Sequence, residues 1–360
     1  MAAKAIKTLI LGCGARGRTY ARYALAHPRE FEIIATADPR ERAGFSDWSE
    51  ALAAHGAEAD LAIVALPDRL HFAAGMAALK AGCHLLMEKP IGCTAAECRK
   101  LVAAAERAKR AIFPGFVLRH TRQYRKVAQI LAEGLIGEVL SIHHLNAVSY
   151  PKTVTAFCRG QWAKTAESGP MILTKSSHDL DLINWWCGGR KPKSIVSMGG
   201  QKLFKPENAP AGSADGCGAC EVAECPFREE DAHCVYKCGA DVVDHQSTLI
   251  EYEGGPLVNF ELEAITARRG RFTRFFGTKG TLLVDEGKVT LRRFGKRERV
   301  FLFQPETENH GGGDDGLMAD VRRALSSGAA PLELARETLL SHLLAFWAED
   351  SRKAGKICRP

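Results

Sequence analysis

Three glycines, Gly12, Gly14 and Gly17, stand in the spacing Gly-x-Gly-x-x-Gly directly after the apolar run Ile6–Leu11. That spacing suits anion binding. The first glycine allows a tight turn, the second lets backbone approach a pyrophosphate, and the third packs a helix close to a strand, with Ala15 and Arg16 between them. The phosphates then face free N–H groups at the positive end of a helix dipole. Asp38 lies 21 residues after Gly17, at the end of the next strand, where a carboxylate can accept from a ribose 2′-hydroxyl. NAD is the expected cofactor. NADP is the alternative, with Arg16 or Arg40 holding its 2′-phosphate.

Lys89 follows a fourth strand in Glu88-Lys89-Pro90. Open α/β sheets bind ligands at the carboxyl ends of their strands, so a lysine there can serve as general acid or base, or else as a plain surface charge. His178 and Asp181 stand three apart at the start of a helix and share one face. The carboxylate could set the imidazole tautomer, and the plainer reading is a helix start with its favoured acids. Five cysteines fall between 217 and 238, inside an aperiodic stretch of about 203–239. Their spacing suits a tetrahedral structural zinc held by Cys217, Cys220, Cys225 and one of Cys234, Cys238 or His233. Free thiols, an iron–sulfur cluster and a disulfide are the alternatives, the last disfavoured in a reducing compartment.

These residues need elements to hold them. The first third alternates strand and helix, the mark of a parallel sheet, with strands at 6–11, 31–37, 60–66, 84–87 and 111–117 and helices at 18–27, 71–81 and 94–110. Thr94 and Glu97 form a capping-box pattern. Beyond about residue 135 strands dominate, at 139–150, 193–201, 245–252, 257–263, 271–276 and 281–303, several joined by short glycine turns that suggest antiparallel pairing. Helices at 315–326 and 333–354 close the chain. A nucleotide-binding domain over 1–120 is expected, followed by a substrate and oligomerisation domain over 121–360, with the helices of 315–354 as candidates to pack back on the first.

Gly12-x-Gly14-x-x-Gly17, Pro67-Asp68-x-x-His71 and Ala81-Gly82-x-His84-x-x-x-Glu88-Lys89-Pro90 together resemble the Gfo/Idh/MocA oxidoreductase family, in a subgroup with a Cys-rich insertion. Gly277-Thr278-Lys279-Gly280-Thr281 extends the resemblance into the later sheet. It implies an α/β chain: an N-terminal Rossmann domain, and a C-terminal α+β domain on an open, mostly antiparallel sheet. It also implies a nicotinamide cofactor and a sugar or polyol substrate. On the cofactor side it places Leu66, Pro67, His71, Glu88, Lys89 and Pro90, with Lys89 beside both nicotinamide and substrate and a cis Lys89–Pro90 bond. The segment around His178 resembles the family's Asp-x-x-x-His-x-x-Asp signature, but the leading aspartate position is Thr174, followed by Lys175. Threonine cannot hold a proton at neutral pH, so proton transfer falls on Lys89 and His178, with Lys175 as a second cation. Arg119, His120 and Tyr124, and the Arg159 and Trp162 of Arg159-Gly160-Gln161-Trp162, are expected on the substrate side. The leading expectation is a sugar, sugar-derivative or cyclitol dehydrogenase. A redox-neutral glycoside hydrolase acting by transient oxidation and elimination is the alternative. A non-catalytic nucleotide-binding regulator is disfavoured by the intact Lys89 and His178.

Composition agrees with a two-domain enzyme. The chain has 360 residues, 46% hydrophobic and 25% charged, and domains average about 150 residues. Its net charge of +7 is thinly spread, with no basic stripe interleaved with aromatics, so an anionic cofactor is expected and nucleic acid is not. No apolar run reaches the roughly 18 residues of a membrane helix. Residues 1–7 lack the character of a signal peptide, which makes a cytoplasmic location the expectation. The family's open sheet implies a homo-oligomer.

Overall fold

Strands β1 (Ile6–Leu11), β2 (Phe31–Ala37), β3 (Leu61–Val64), β4 (His84–Met87) and β5 (Ile112–Pro114) form one parallel sheet in the order β2-β1-β3-β4-β5. The coordinates are a computed structural model that describes residues 4–40, 44–303, 309–328 and 331–360, so the first three residues of the expected signal-free N-terminus lie outside it. The four residues of β3 are all buried, as expected of a strand covered on both faces. Helices α1 (Ala15–Ala26), α2 (Trp48–His55), α3 (Asp68–Ala81) and α4 (Ala95–Ala108) connect the strands. In α4 the Thr94 hydroxyl accepts from the Glu97 amide while the Glu97 carboxylate accepts from Thr94, completing the capping box. That helix buries Cys98, Leu101, Val102 and Ala105, the i, i+3, i+4, i+7 stripe of an amphipathic helix. Helix α2, absent from the sequence reading, starts at Asp47, whose side chain accepts from the Ser49 amide.

The chain divides into two units, Met1–Lys126 with Gln304–Leu343, and Val127–Phe303 with Leu344–Pro360. Helices α5 (Arg122–Ala132), α6 (Tyr150–Thr153), α7 (Thr165–Ser168), α8 (Met171–Thr174) and α9 (Ser177–Trp186) flank the strand β6 (Val139–Ser149). With β7 (Pro192–Gly200), β8 (His245–Tyr252), β9 (Leu257–Thr266), β10 (Gly270–Gly277), β11 (Gly280–Asp285), β12 (Lys288–Arg293) and β13 (Arg299–Leu302) it makes an eight-stranded sheet, ordered β13-β12-β11-β10-β6-β9-β8-β7. Only β6 and β9 pair in parallel among these neighbours. Alternation along the strands buries Ile250, Val258, Phe260, Leu262 and Phe275, and leaves Leu249, Phe272 and Phe276 exposed on the other face. The long run at 281–303 divides into β11, β12 and β13.

The last helices are α10 (Asn309–Ser326) and α11 (Leu332–Ala354). Leu317, Met318 and Val321 of α10 join the core of the first unit, against Ile10, Tyr20, Leu86 and Phe113. Among the described residues no helix is long and apolar enough to cross a membrane.

Candidate active site

The chain turns sharply where β1 ends. Gly12 has φ +96°, a left-handed backbone that glycine adopts without strain, and a Cβ there would stand 2.4 Å from the Ala65 carbonyl oxygen. At Gly17 a Cβ would fall 1.8 Å from the Gly12 carbonyl oxygen, so only glycine lets α1 begin this close to the strand. Gly14 caps α1 and offers no side-chain acceptor, and Ala15 begins the helix. The first turn therefore keeps its donors for an anion. Gly17→Ala is expected to abolish measurable NADH binding, read as loss of fluorescence transfer from tryptophan; binding within about twofold of the parent would refute this role for the turn.

Asp38 stands just beyond β2. Its Oδ2 accepts the Cys13 amide at 2.9 Å, and its Oδ1 accepts the Arg40 amide at 2.9 Å with the Arg40 guanidinium 3.3 Å away. Burial pushes the carboxyl up, but the Arg40 and Cys13 donors outweigh it and hold it below its usual value. The residues at this edge fit a dinucleotide: a glycine cradle, a helix start with no side-chain cap and an ionised carboxylate at the next strand end.

Glu88-Lys89-Pro90 follows β4 on the same carboxyl edge, and the Lys89–Pro90 bond is cis. Glu88 and Arg16, both expected on the cofactor, pair with each other. Glu88 accepts from Arg16 Nε and from the Tyr20 hydroxyl, each at 2.6 Å, and Arg16 also donates to Asp314 of α10. Burial pushes the Asp314 carboxyl up, but His310, whose Nδ1 lies 3.0 Å away, and Arg16 hold it down near 2. Arg40, and not Arg16, thus remains the cation beside Asp38. His71 meets two backbone carbonyls: its Nδ1 lies 2.6 Å from the Pro90 oxygen and its Nε2 lies 2.7 Å from that of Leu66, the residue before Pro67 at the start of α3.

The second unit holds the segment around His178. Thr174 ends α8, buried, with its hydroxyl 3.4 Å from the Pro170 carbonyl; half-buried Lys175 follows, and α9 carries half-buried His178 and buried Asp181. Between His178 and Asp181 stands a third polar residue, Asp179, fully buried. Asp179 is the hub: it accepts from Arg271 Nε at 2.6 Å, His144 Nε2 at 2.9 Å and Asn146 Nδ2 at 2.7 Å. Those partners come from β6 and β10, so no local spacing announces them.

Several expected substrate-side residues have protein partners. Arg119 donates to Glu337 at 2.7 Å, His120 Nδ1 lies 2.6 Å from Asp320, and Tyr124 is buried on α5. Arg159 clips the Cys-rich segment, donating to the carbonyls of His233 at 2.7 Å and Phe227 at 2.8 Å and lying 3.4 Å from the Cys217 sulfur. Trp162 stacks on Phe157 at 5.4 Å between centroids. The expected zinc set does not assemble: among the described residues no three His, Cys, Asp or Glu side chains are grouped to hold a metal ion. Cys217 meets Arg159, Cys220 lies 4.0 Å from the Gly212 carbonyl, and Cys238 donates to Val235 at 3.1 Å. Cys225 is half-buried, while Cys234 joins Phe204, Val235 and Tyr236 in a small apolar core against Val154 and Cys158. That core and the Arg159 clip hold the segment where a metal was expected to.

Residues 6–116 match the description "Oxidoreductase family, NAD-binding Rossmann fold", and residues 124–283 match the GFO/IDH/MocA C-terminal domain. Inositol 2-dehydrogenase 2 of Saccharopolyspora erythraea is 28% identical over 192 residues, half of this chain and 53% of that protein. 2,7-Anhydro-N-acetylneuraminate hydratase of Escherichia coli is 24% identical over 293 residues, 79% of this chain and 69% of that protein. A levoglucosan dehydrogenase solved with NADH and levoglucosan shares the fold at a TM-score of 0.80 and 14% identity, covering 99% of each chain. With matches to both of its domains and a glycine cradle and strand-end carboxylate in place, the chain belongs to the Gfo/Idh/MocA oxidoreductase family.

Proposed function

We propose that this protein is an NAD-dependent oxidoreductase that moves a hydride between nicotinamide and a carbinol carbon of a sugar, sugar derivative or cyclitol. The observation that carries this reading is Lys89 at the carboxyl end of β4, on the sheet edge that also bears the glycine cradle and Asp38. Bound nicotinamide supplies the hydride acceptor. The protein binds, orients and manages the proton. Lys89 takes the hydroxyl proton as the carbon is oxidised and returns it in reduction, with His178 as the second proton carrier in the role its family position implies. Thr174, where the family signature has an acid, offers a hydroxyl only, and Lys175 adds a cation. The exposed Leu249, Phe272 and Phe276 support self-association through that sheet face.

A second reading, redox-neutral elimination or hydrolysis, draws support from the missing acid at Thr174 and from the hydratase relative. The deciding experiment incubates protein and NAD⁺ with free sugars, cyclitols and aryl glycosides, following absorbance at 340 nm and aglycone release together. Stoichiometric NADH from a free sugar or cyclitol supports the dehydrogenase; catalytic aglycone release without net NADH replaces it with the second reading. Asp38 supports NAD over NADP. Asp38→Ser, with Arg40 retained, is expected to shift the kcat/KM ratio toward NADP by about tenfold, the loss of one charged hydrogen bond to the ribose. An unchanged ratio removes Asp38 from cofactor choice.

A further inference from the structure

The turn that presents Lys89 is gripped from two sides by buried histidines. His71 of α3 faces the carbonyl oxygens of Pro90 and Leu66 with its two ring nitrogens, at 2.6 and 2.7 Å. Both oxygens are acceptors. On the other side His342 of α11 takes the opposite part. The Ile91 amide donates to its Nε2 at 3.0 Å, which requires that nitrogen to be unprotonated. Its Nδ1 lies 2.7 Å from the Thr338 carbonyl oxygen, which requires a proton there. Two backbone groups thus define one neutral tautomer. Burial, aided by the charges of Lys89 and His71 and opposed by the Thr338 bond, pushes the ring down to about 4.

Pro90 has no N–H, so Ile91 carries the first backbone donor after Lys89. Ile91 and His342 are both fully buried, and removing the His342 acceptor would leave that donor without its partner in an apolar site. Phe116 packs on the imidazole at 5.4 Å between centroids, which limits how far the ring can move.

We propose that His342 is a positioning residue for Lys89: through its Nε2 and the Ile91 amide, the C-terminal helix holds the turn on which the lysine stands. The inference rests on the reading of Lys89 as the proton-handling group. Nothing in the sequence signals it, because His342 lies 251 residues from Ile91.

The test compares full-length His342→Leu, His342→Gln and Lys89→Met proteins. Glutamine keeps an acceptor for the Ile91 amide, and leucine fills the space without one. In the Leu variant kcat for NADH formation, with the substrate identified from the sugar and cyclitol panel, is expected to fall about tenfold to hundredfold while the Kd for NAD⁺ stays within about twofold; the Gln variant recovers most of the loss. A second readout needs no substrate. The pH dependence of Lys89 acetylation by acetic anhydride, read by mass spectrometry of its peptide, is expected to shift in the Leu variant and to match the parent in the Gln variant. Turnover lost in Lys89→Met but kept in His342→Leu, with an unchanged acetylation profile, overturns the positioning role alone. Turnover kept in Lys89→Met overturns the reading of Lys89 itself. Equal losses in the Leu and Gln variants assign His342 to folding and overturn the proposal. Should the Leu protein not fold, His342→Asn, polar but too short to reach Ile91, is read in its place.

Discussion

Lys89→Met is expected to lower the rate of NADH formation by about a thousandfold while leaving NAD⁺ binding nearly unchanged. Methionine keeps the length and the apolar stem of lysine and removes the ammonium, so the loss isolates proton transfer from packing. Binding should survive because the cradle lies at the end of β1 and Asp38 at the end of β2, two and three strands away from β4 in the sheet order β2-β1-β3-β4-β5. Neighbouring Glu88 keeps its hydrogen-bond partners without the ammonium, since it is held by Arg16 and Tyr20 at 2.6 Å each. The measurement is steady-state turnover at saturating NAD⁺ beside a fluorescence titration of NADH. A fall of less than about tenfold would remove Lys89 from the chemistry.

The largest expected effect on stability belongs to Asp179→Ala, a loss of about 3–5 kcal/mol. The carboxylate is fully buried and holds Arg271, His144 and Asn146 together beneath α9. Burial raises it, but the Arg271 charge and the His144 bond more than compensate and keep it well below the ordinary aspartate value. Alanine removes the buried acceptor that Arg271, His144 and Asn146 share. The sign of the pH dependence follows: because the folded pKa is depressed, the stabilisation is present above the unfolded aspartate value and is lost as pH falls through the acid range below it. Urea unfolding of the full chain at neutral pH measures the loss, with exposed Asp350→Asn as the control, expected within about 0.5 kcal/mol of the parent. A loss under about 1 kcal/mol would show that the network contributes little. His178 is the next residue toward the start of α9, so a weakened helix start should also lower turnover.

Much of the first unit was readable because its signals are local. The spacing of Gly12, Gly14 and Gly17 states which backbone positions can bear no Cβ, and the structure shows the contacts that forbid one at Gly12 and Gly17. Thr94 and Glu97 announce their own capping box three residues apart. Helix α2 escaped notice because its eight residues bury only Ala51 and Leu52, too little for an apolar stripe. In the second half alternation marked most strands, but the parallel pairing of β6 with β9 is written in neither strand.

Residue types and spacing do not name the distant partners that hold these side chains. Arg16, His71, Arg119, His120 and Arg159 are polar groups near expected ligand positions, and each is engaged by carboxylates or carbonyls up to 298 residues away. The cysteine spacing met zinc geometry on paper, while folding placed Cys234 in an apolar core and Cys217 against Arg159. What the sequence alone determined were features whose physics acts within a few residues: the glycine turn, the caps, the alternation of strands and the family. Only the tertiary structure decided which charges are buried together, how Asp179 anchors α9 and how His342 reaches the Lys89 turn. A hydrogen bond requires its groups within about 3 Å, and chain order alone does not say which distant segments meet at that distance.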